Sequence, residues 1–250
     1  MLTSQRRKLI LDRVHRNGQV SVQELSKEWG ISEDAIRRDL REMSQQGLLQ
    51  RVHGGAISAS PAASNYKTRE DLSVESKKRL AIIAAQMIKP GQVIGVDGGT
   101  TNLQLIRQIP SALEATVVTH SPLIAAELQD HRNIDVIILG GKLFKHSMVC
   151  LGAETTREIE RFHLDIFFLG ATGVHPVAGV TTGDWDDATV KRAFCSRAAE
   201  VVLMASPEKL NAASPFKIIS VSQIGTLIVD ETTESLTRES FQREGVNVLS

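Results

Sequence analysis

The decapeptide Ile31-Ser32-Glu33-Asp34-Ala35-Ile36-Arg37-Arg38-Asp39-Leu40 sorts its residues onto two faces of a single helix. At roughly 100° per residue, Ile36, Leu40 and then Met43 cluster on one side. Asp34, Arg38, Arg41 and Gln45 fall on the other, flanked by Ala35 and Arg37. The apolar side must face a core. The polar side is a row of groups suited to a nucleic acid: arginine pairs bidentately with guanine, and a carboxylate accepts from cytosine N4. An arginine that meets only a phosphate positions the protein without reading sequence.

The flanking sequence supplies the frame for such a helix. Upstream, a helix over 4–16 places Leu9, Ile10 and Val14 at helical spacing and stops at Asn17-Gly18. A second helix begins at Ser21, with Glu24 three residues on as in a capping box, carries Val22, Leu25 and Trp29, and ends at Gly30. The third starts at Ser32 after a short turn whose Ile31 fills the corner, which are the proportions of a helix-turn-helix. Downstream, 48–52 and 56–58 read as strands around the turn His53-Gly54-Gly55, a wing whose Arg51 and His53 are placed to donate to a DNA backbone. Any one of these arginines is more often part of an ordinary solvated face; the order of elements is what favours a winged reader. The DNA-facing candidates are Ser32, Asp34, Ala35, Arg37, Arg38, Arg41, Arg51, His53 and Gly54.

The formal net charge of the 250 residues is zero, but it is unevenly spread. Residues 1–57 hold 10 Lys+Arg against 7 Asp+Glu, and the remainder holds 19 against 22, a basic head on a mildly acidic body. The small-residue stretch SASPAAS at 58–64 predicts a linker, taken as 58–74, between a reader at 1–57 and a second domain at 75–250. In that second domain Val- and Ile-rich strands near 93–96, 116–119, 134–139, 165–169, 201–204, 226–229 and 246–249 alternate with helices. That alternation predicts an α/β fold with a mostly parallel sheet covered on both faces.

Ligands of open parallel sheets bind at the carboxyl ends of strands. The first of these ends carries Asp97-Gly98-Gly99-Thr100-Thr101, glycines that let the chain bend and helix-start N–H groups that form an anion cradle, or simply a tight strand-to-helix turn. Thr119-His120-Ser121, Gly140-Gly141 and Gly170-Ala171 follow the next strands, and together these loops predict one shared pocket. Lys191 and Lys209 are its candidate cations, and Asp97, Asp184 and Asp187 its candidate acceptors for sugar hydroxyls.

The run Ile31 to Leu40, followed by Gln46-Gly47-Leu48-Leu49 and Arg51-Val52-His53-Gly54-Gly55-Ala56, resembles the DNA-binding signature of the DeoR family of bacterial regulators. The family pattern has Thr at the place of Ala35 and seldom an acid at that of Asp34. The resemblance continues through the body: Asp97-Gly98-Gly99-Thr100-Thr101 matches the family's Asp-to-Gly-Thr-Thr hallmark, and Thr119-His120-Ser121 its Thr-Asn-Ser with His for Asn. Gly140-Gly141, then Asp187 with Lys191, match in turn, and Ser206-Pro207-Glu208-Lys209 keeps the Lys of an Asp-Ser-Ser-Lys without its leading Asp. The resemblance implies a sensor domain similar to sugar-phosphate isomerases, a phosphorylated sugar or related effector, and repression of a carbohydrate-utilisation operon.

Composition narrows the alternatives. A hydrophobic share of 42% and a charged share of 23% are those of a soluble globular protein. No apolar run reaches the roughly 18–20 residues that span a bilayer, and the N-terminus does not read as a secretory signal. Cys150 and Cys195 lack CxxC spacing, which argues against zinc and a disulfide framework and predicts a cytoplasmic protein. Neither GxGxxG after the first strand nor GxxxxGK[ST] occurs, so no nucleotide cofactor is expected. The sequence therefore predicts a regulator rather than an enzyme, binding double-stranded operator DNA as a homo-oligomer whose symmetry matches half-site spacing. A sugar-phosphate isomerase with a regulatory head and an architectural DNA binder are the other readings; the first needs a poised carboxylate base.

Overall fold

The computed structural model describes residues 1–64 and 66–250, with all their side chains except those of residues 15–17 and 63. Its N-terminal part runs α1 (Thr3–Asn17), β1 (Gln19–Ser21), α2 (Val22–Trp29), α3 (Glu33–Gln45), β2 (Leu49–Val52) and β3 (Gly55–Ala59). The expected caps are present: Ser21 Oγ accepts from the Glu24 N–H and Ser32 Oγ from the Ala35 N–H, each at 3.4 Å. Ile10, Val14, Leu25, Ile36, Leu40 and Met43 form one buried cluster, so the apolar face of α3 looks inward as its periodicity requires. β1 and β2 both pair antiparallel with β3 to make the wing.

One charged residue is buried in this small core. Asp39, on α3, is 1% exposed and takes donors from α1: Arg6 Nε, and Arg7 Nε at 2.9 Å. Arg7 also reaches Glu42 one turn further along α3, at 2.5 Å. These bonds fix the angle between α1 and the helix that carries the exposed arginines.

After a single tight turn at Pro61–Ala63 come α4 (Tyr66–Glu70), α5 (Val74–Ala85), β4 (Val93–Val96), α6 (Thr100–Gln108), β5 (Ala115–Thr119), α7 (Pro122–Glu127) and β6 (Ile134–Ile138). Then follow β7 (Lys142–Phe144), β8 (Val149–Leu151), α8 (Ala153–Ile159), β9 (Leu164–Leu169), β10 (Gly173–His175), β11 (Gly179–Thr182), α9 (Trp185–Arg197) and β12 (Ala198–Ala205). β13 (Ala212–Ala213), β14 (Phe216–Ile219), β15 (Thr226–Val229), α10 (Ser235–Gln242) and β16 (Asn247–Leu249) complete the chain. A seven-stranded parallel sheet has the order β16-β15-β12-β9-β4-β5-β6. Each of the seven expected strand segments lands on one strand of this sheet. Alternate residues serve two cores: Ile166 and Phe168 of β9 pack with α5 and α6, whereas Phe167 and Leu169 pack with α9.

The sheet order reverses between β4 and β9, because the chain builds outward from β4 through β5 and β6 and later from β9 through β12 to β16. A crevice opens at such a switch point, at the carboxyl ends of the two strands. Two smaller pieces lie outside the expected pattern: an antiparallel sheet β10-β11-β14 and the hairpin β7-β8. The 58–74 stretch, expected as a linker, contains the end of β3, the tight turn, α4 and the first residue of α5. Its Tyr66 is buried and donates its N–H to His146 O at 3.0 Å, so this stretch lies along the body; Asn65, part of the expected linker, is outside the described residues. Among the described residues no helix is long and apolar enough to cross a membrane.

Removing the Asp39 carboxylate leaves the partly exposed Arg6 and Arg7 without their shared partner and unties α1 from α3. Asp39→Ala is expected to lower the urea midpoint of the head, followed through Trp29 fluorescence in a Trp185→Phe background. An unchanged midpoint would mean the pair is structurally idle.

Candidate functional site

The polar face of α3 is solvent-exposed at Ser32, Asp34, Arg37, Arg38 and Arg41, with Ala35 half-buried beside them. The three arginines differ. Arg37 is ion-paired along its own helix to Glu33 at 2.6 Å and lies 3.9 Å from Asp34. Arg38 and Arg41 make no hydrogen bond or ion pair with any described residue, so their guanidinium groups are open to an incoming partner. Arg51, His53 and Gly54 are exposed on the wing. The predicted reader residues are thus exposed, apart from half-buried Ala35, and the guanidinium groups of Arg38, Arg41 and Arg51 are without a partner among the described residues.

In the body a crevice lies at the β4/β9 switch point, about 560 Å³ with its solvent-filled mouth included. Of the predicted pocket residues, Gly98, Gly99, Thr100, Thr101, Gly170, Ala171, Asp187, Lys191 and Lys209 line it. The first hydrogen bond of α6 runs from the Leu103 N–H to Gly99 O at 3.0 Å. The N–H groups of Thr100, Thr101 and Asn102 precede it and have no helical acceptor, which makes this end of the helix attractive to an anion. Lys209 Nζ donates to Thr101 Oγ1 at 3.1 Å beside it. The crevice is narrow because the two loops touch: a Cβ at Gly170 would lie 2.7 Å from Gly98 O and 2.9 Å from Asp97 Oδ2.

Seven predicted residues do not line the cavity, each for a visible reason. Asp97 is fully buried and saturated: Oδ1 accepts from the Gly98 N–H at 2.7 Å and faces His120 Nε2 at 2.8 Å, while Oδ2 accepts from the Gly170 N–H at 2.8 Å and Lys191 Nζ at 2.9 Å. Burial pushes this carboxyl up, but the charge of Lys191 and the bond to His120 outweigh it and hold it well below the usual carboxylate range. Asp97 is thus a pin joining β4, β9 and α9, with no lone pair left for a sugar hydroxyl or for proton abstraction. His120 lies beneath it, its Nδ1 2.8 Å from Cys150 O. Thr119 Oγ1 donates to Val96 O at 2.6 Å, and Ser121 Oγ to Met148 O at 3.1 Å. Gly140 O accepts from Thr155 Oγ1 at 2.7 Å, and at Gly141, φ 154°, a Cβ would come within 2.3 Å of that same oxygen. This glycine pair seats the β7-β8 hairpin on α8. The predicted acceptor Asp184 caps α9, accepting from the Asp187 N–H at 2.9 Å.

The cavity also contains residues that spacing did not single out: Arg69, Lys77, Asn102 and Glu208. Lys77 left a signal, since it sits with Leu80, Ala81 and Ala84 on the buried face of α5, where a cation is out of place. Arg69 left none. Its NH2 donates to His146 O and Ser147 Oγ at 3.3 and 3.4 Å, while its Nε is buried without a partner among the described residues. Glu208 accepts from Ser206 Oγ and Ser73 Oγ, both at 2.6 Å, and so supplies a carboxylate two positions beyond the Asp that the family pattern leads with.

Charge at this site is unbalanced. Arg69, Lys77, Lys191 and Lys209 face Asp187 and Glu208. Lys191 is compensated: burial works against its ammonium, but Asp187 and Asp97 outweigh that and raise its pKa. Burial pulls Arg69 and Lys77 down. Lys209 is pulled down to about 7, first by burial and then, against the help of Glu208, by Lys77, Arg69 and Lys191. Asp187 Oδ2 accepts from Thr182 Oγ1 at 2.6 Å, and its buried Oδ1 has no partner among the described residues. The site can therefore take an anion among its cations and a hydroxyl at Asp187.

Comparison with known proteins identifies both parts of the chain. A sequence model of the DeoR C terminal sensor domain matches residues 72–231, and one of the DeoR-like helix-turn-helix domain matches residues 6–62. The HTH-type transcriptional regulator GlpR of Haloferax volcanii is 34% identical over 251 residues, covering 100% of this chain and 98% of its own. The putative aga operon transcriptional repressor of Escherichia coli O157:H7 is 29% identical over 99% of this chain and 93% of its own. The glycerol-3-phosphate regulon repressor of Escherichia coli K12 is 28% identical over 92% of each chain. All three are named as regulators and none as an enzyme. Among solved structures, ribose 5-phosphate isomerase A from Methanocaldococcus jannaschii is similar with a TM-score of 0.40 and 20% identity, over 53% of this chain and 52% of that one. Reader and sensor are both matched, and with them almost the whole length: the chain belongs to the DeoR family of DNA-binding transcriptional regulators.

Proposed function

We propose that this regulator represses a carbohydrate-utilisation operon and is released from its operator by a small phosphorylated sugar or a closely related metabolite. The observation that carries the reading is the cavity's excess of cations around a helix start, beside one carboxylate oxygen without a partner among the described residues. A phosphate dianion would complete Lys209, Lys77 and Arg69 and accept from the N–H groups at the start of α6. A sugar hydroxyl would satisfy Asp187 Oδ1, which leaves a bare anion a poorer ligand than a phosphorylated polyol. The name of one relative, the glycerol-3-phosphate regulon repressor, supports an effector of this class.

On the DNA side, the proposed readers are Arg38 and Arg41 in the major groove, with Ser32, Asp34, Ala35 and Arg37 at the start of the helix. Arg51, His53 and Gly54 of the wing would meet the backbone. A single reader covers one half-site, so the working form is proposed to be a homo-oligomer that presents two heads to a repeated or palindromic operator. A tenfold loss of operator affinity on effector binding requires about 1.4 kcal/mol of coupling, within the usual allosteric range.

The test is a mobility shift on DNA flanking the gene, repeated with a panel of sugar phosphates and their unphosphorylated sugars. At least one phosphate ester is expected to release the complex and its parent sugar to leave it intact; release by the sugar alone would remove the case for a phosphate site. In the same assay Arg38→Ala and Arg41→Ala should each weaken the specific complex by about 1–3 kcal/mol if they meet bases. If they meet phosphates, each should instead lower the salt slope by roughly one. Full-strength binding by the double variant would remove α3 from the DNA interface.

Effector affinity should also depend on pH in a defined direction. A phosphate ester is already dianionic above roughly pH 6. With its pKa near 7, Lys209 is charged below that value and must recover a proton on binding above it. Affinity is therefore expected to fall as pH rises from 7 to 9, with proton uptake visible in calorimetry across buffers of different ionisation enthalpy. Lys209→Met should bind more weakly and lose most of that slope. A parent whose affinity is flat over this range would contradict the assigned role of Lys209.

A further inference from the structure

Two stretches of chain leave the cavity, and both end on the same strand of the reader. One is the wing's own exit. β3 ends at Ala59, and the next residue, buried Ser60, donates its hydroxyl to Thr172 O. Ala62 and Arg69 then line the cavity. The other begins at Lys209. Two residues later Asn211 holds a left-handed backbone, φ 54°, and β13 follows at once. β13 pairs in parallel with β3, Ala212 opposite Ser58 and Ala213 opposite Ala59, although β1 and β2 of the head pair with β3 as well.

The connection has little slack. Lys209 and Ala212 are separated by two residues, at most about 10 Å of extended chain. The Asn211 side chain is tied to Thr237 Oγ1 at 3.2 Å, and its Cβ lies 3.6 Å from where a Cβ on Gly18, the turn after α1, would stand. Beneath β13, Ser214 Oγ accepts from Thr172 Oγ1 at 2.8 Å, so the two routes are themselves bonded to each other. A shift of Lys209 is passed to β13, and a shift of the Arg69 segment is passed to Ser60. Ser60 is continuous with β3 itself, whereas the Lys209 route reaches the wing through the two-residue β13–β3 ladder.

We infer that the β13–β3 pairing is the clutch between the cavity and the DNA reader. An anion drawn in among Lys209, Lys77 and Arg69 pulls on both routes at once and changes the register or angle at which the body holds the wing. The inference rests on the effector reading above and adds the element that carries the signal. Two-state coupling needs an element with differential interactions in each state, and a two-residue parallel pairing is short enough to be remade while the head's own core of ten buried residues stays intact.

The decisive variant is Ser58→Cys with Ala212→Cys, partners in the parallel register, in the full chain with inorganic phosphate as the probe. In the reduced protein, phosphate is expected to change operator affinity by about tenfold. After oxidation, phosphate should still bind, seen by calorimetry, while operator affinity changes less than about twofold. If the oxidised protein binds phosphate and still responds fully, the clutch is elsewhere and this inference falls while the effector reading stands. If phosphate binds neither form, the anion site and the inference fall together. Hydrogen exchange on the parent chain tests the same point without a substitution: phosphate should alter protection at 57–59 and 211–214, and changes confined to 98–102 and 206–209 would overturn the assignment.

Discussion

Four cations gathered around one cavity with only two carboxylates facing it are the constraint on which this molecule turns. Burial first, and then the like charges of Lys77, Arg69 and Lys191, pull the Lys209 ammonium down to about 7 against the help of Glu208. On the proposed reading, an anionic effector completes this arrangement, and the surroundings suit it. The Asp97 carboxylate consumes four donors to hold the strand ends in place, Lys191 is neutralised by Asp97 and Asp187, and Arg69, Lys77 and Lys209 are left with excess charge.

The reader repeats the same logic on an exposed surface. Asp39 binds Arg6 and Arg7 and so sets the pose of α3, while Arg38 and Arg41 stand free. A buried pair gives orientation, and unpaired cations next to it give affinity for a polyanion. On the proposed reading the β13–β3 pairing joins the two sites, with structural ionic bonds where rigidity is needed and uncompensated charges where a ligand would arrive.

Much of this was legible in the sequence, because the relevant signals are periodic. Ile36, Leu40 and Met43 at helical spacing put α3 the right way round, and seven Val- and Ile-rich runs gave the seven strands of the parallel sheet. The glycine-rich loops marked the switch point. Periodicity fails for elements too short or too polar to show it, which is why β13, two alanines, and the Gly- and Thr-bearing β10-β11 hairpin went unread. It also cannot tell a polar residue that lines a cavity from one that shores it up: Asp97, His120 and Gly141 stand in the right loops but are occupied in joining strands, and only contact geometry reveals this. Arg69, in a stretch that reads as linker, enters the site because that stretch folds back on the body.

The central claim is that one chain holds an anion site and a DNA site whose occupancies oppose each other. Linkage makes that claim reciprocal: whatever factor the effector removes from operator affinity, the operator must remove from effector affinity. The direct measurement is calorimetric titration of a releasing sugar phosphate into the free protein and into the protein saturated with its operator. The account predicts weaker binding to the DNA-bound form, by the same factor that the effector weakens the DNA complex. Equal affinity for the two forms would contradict it.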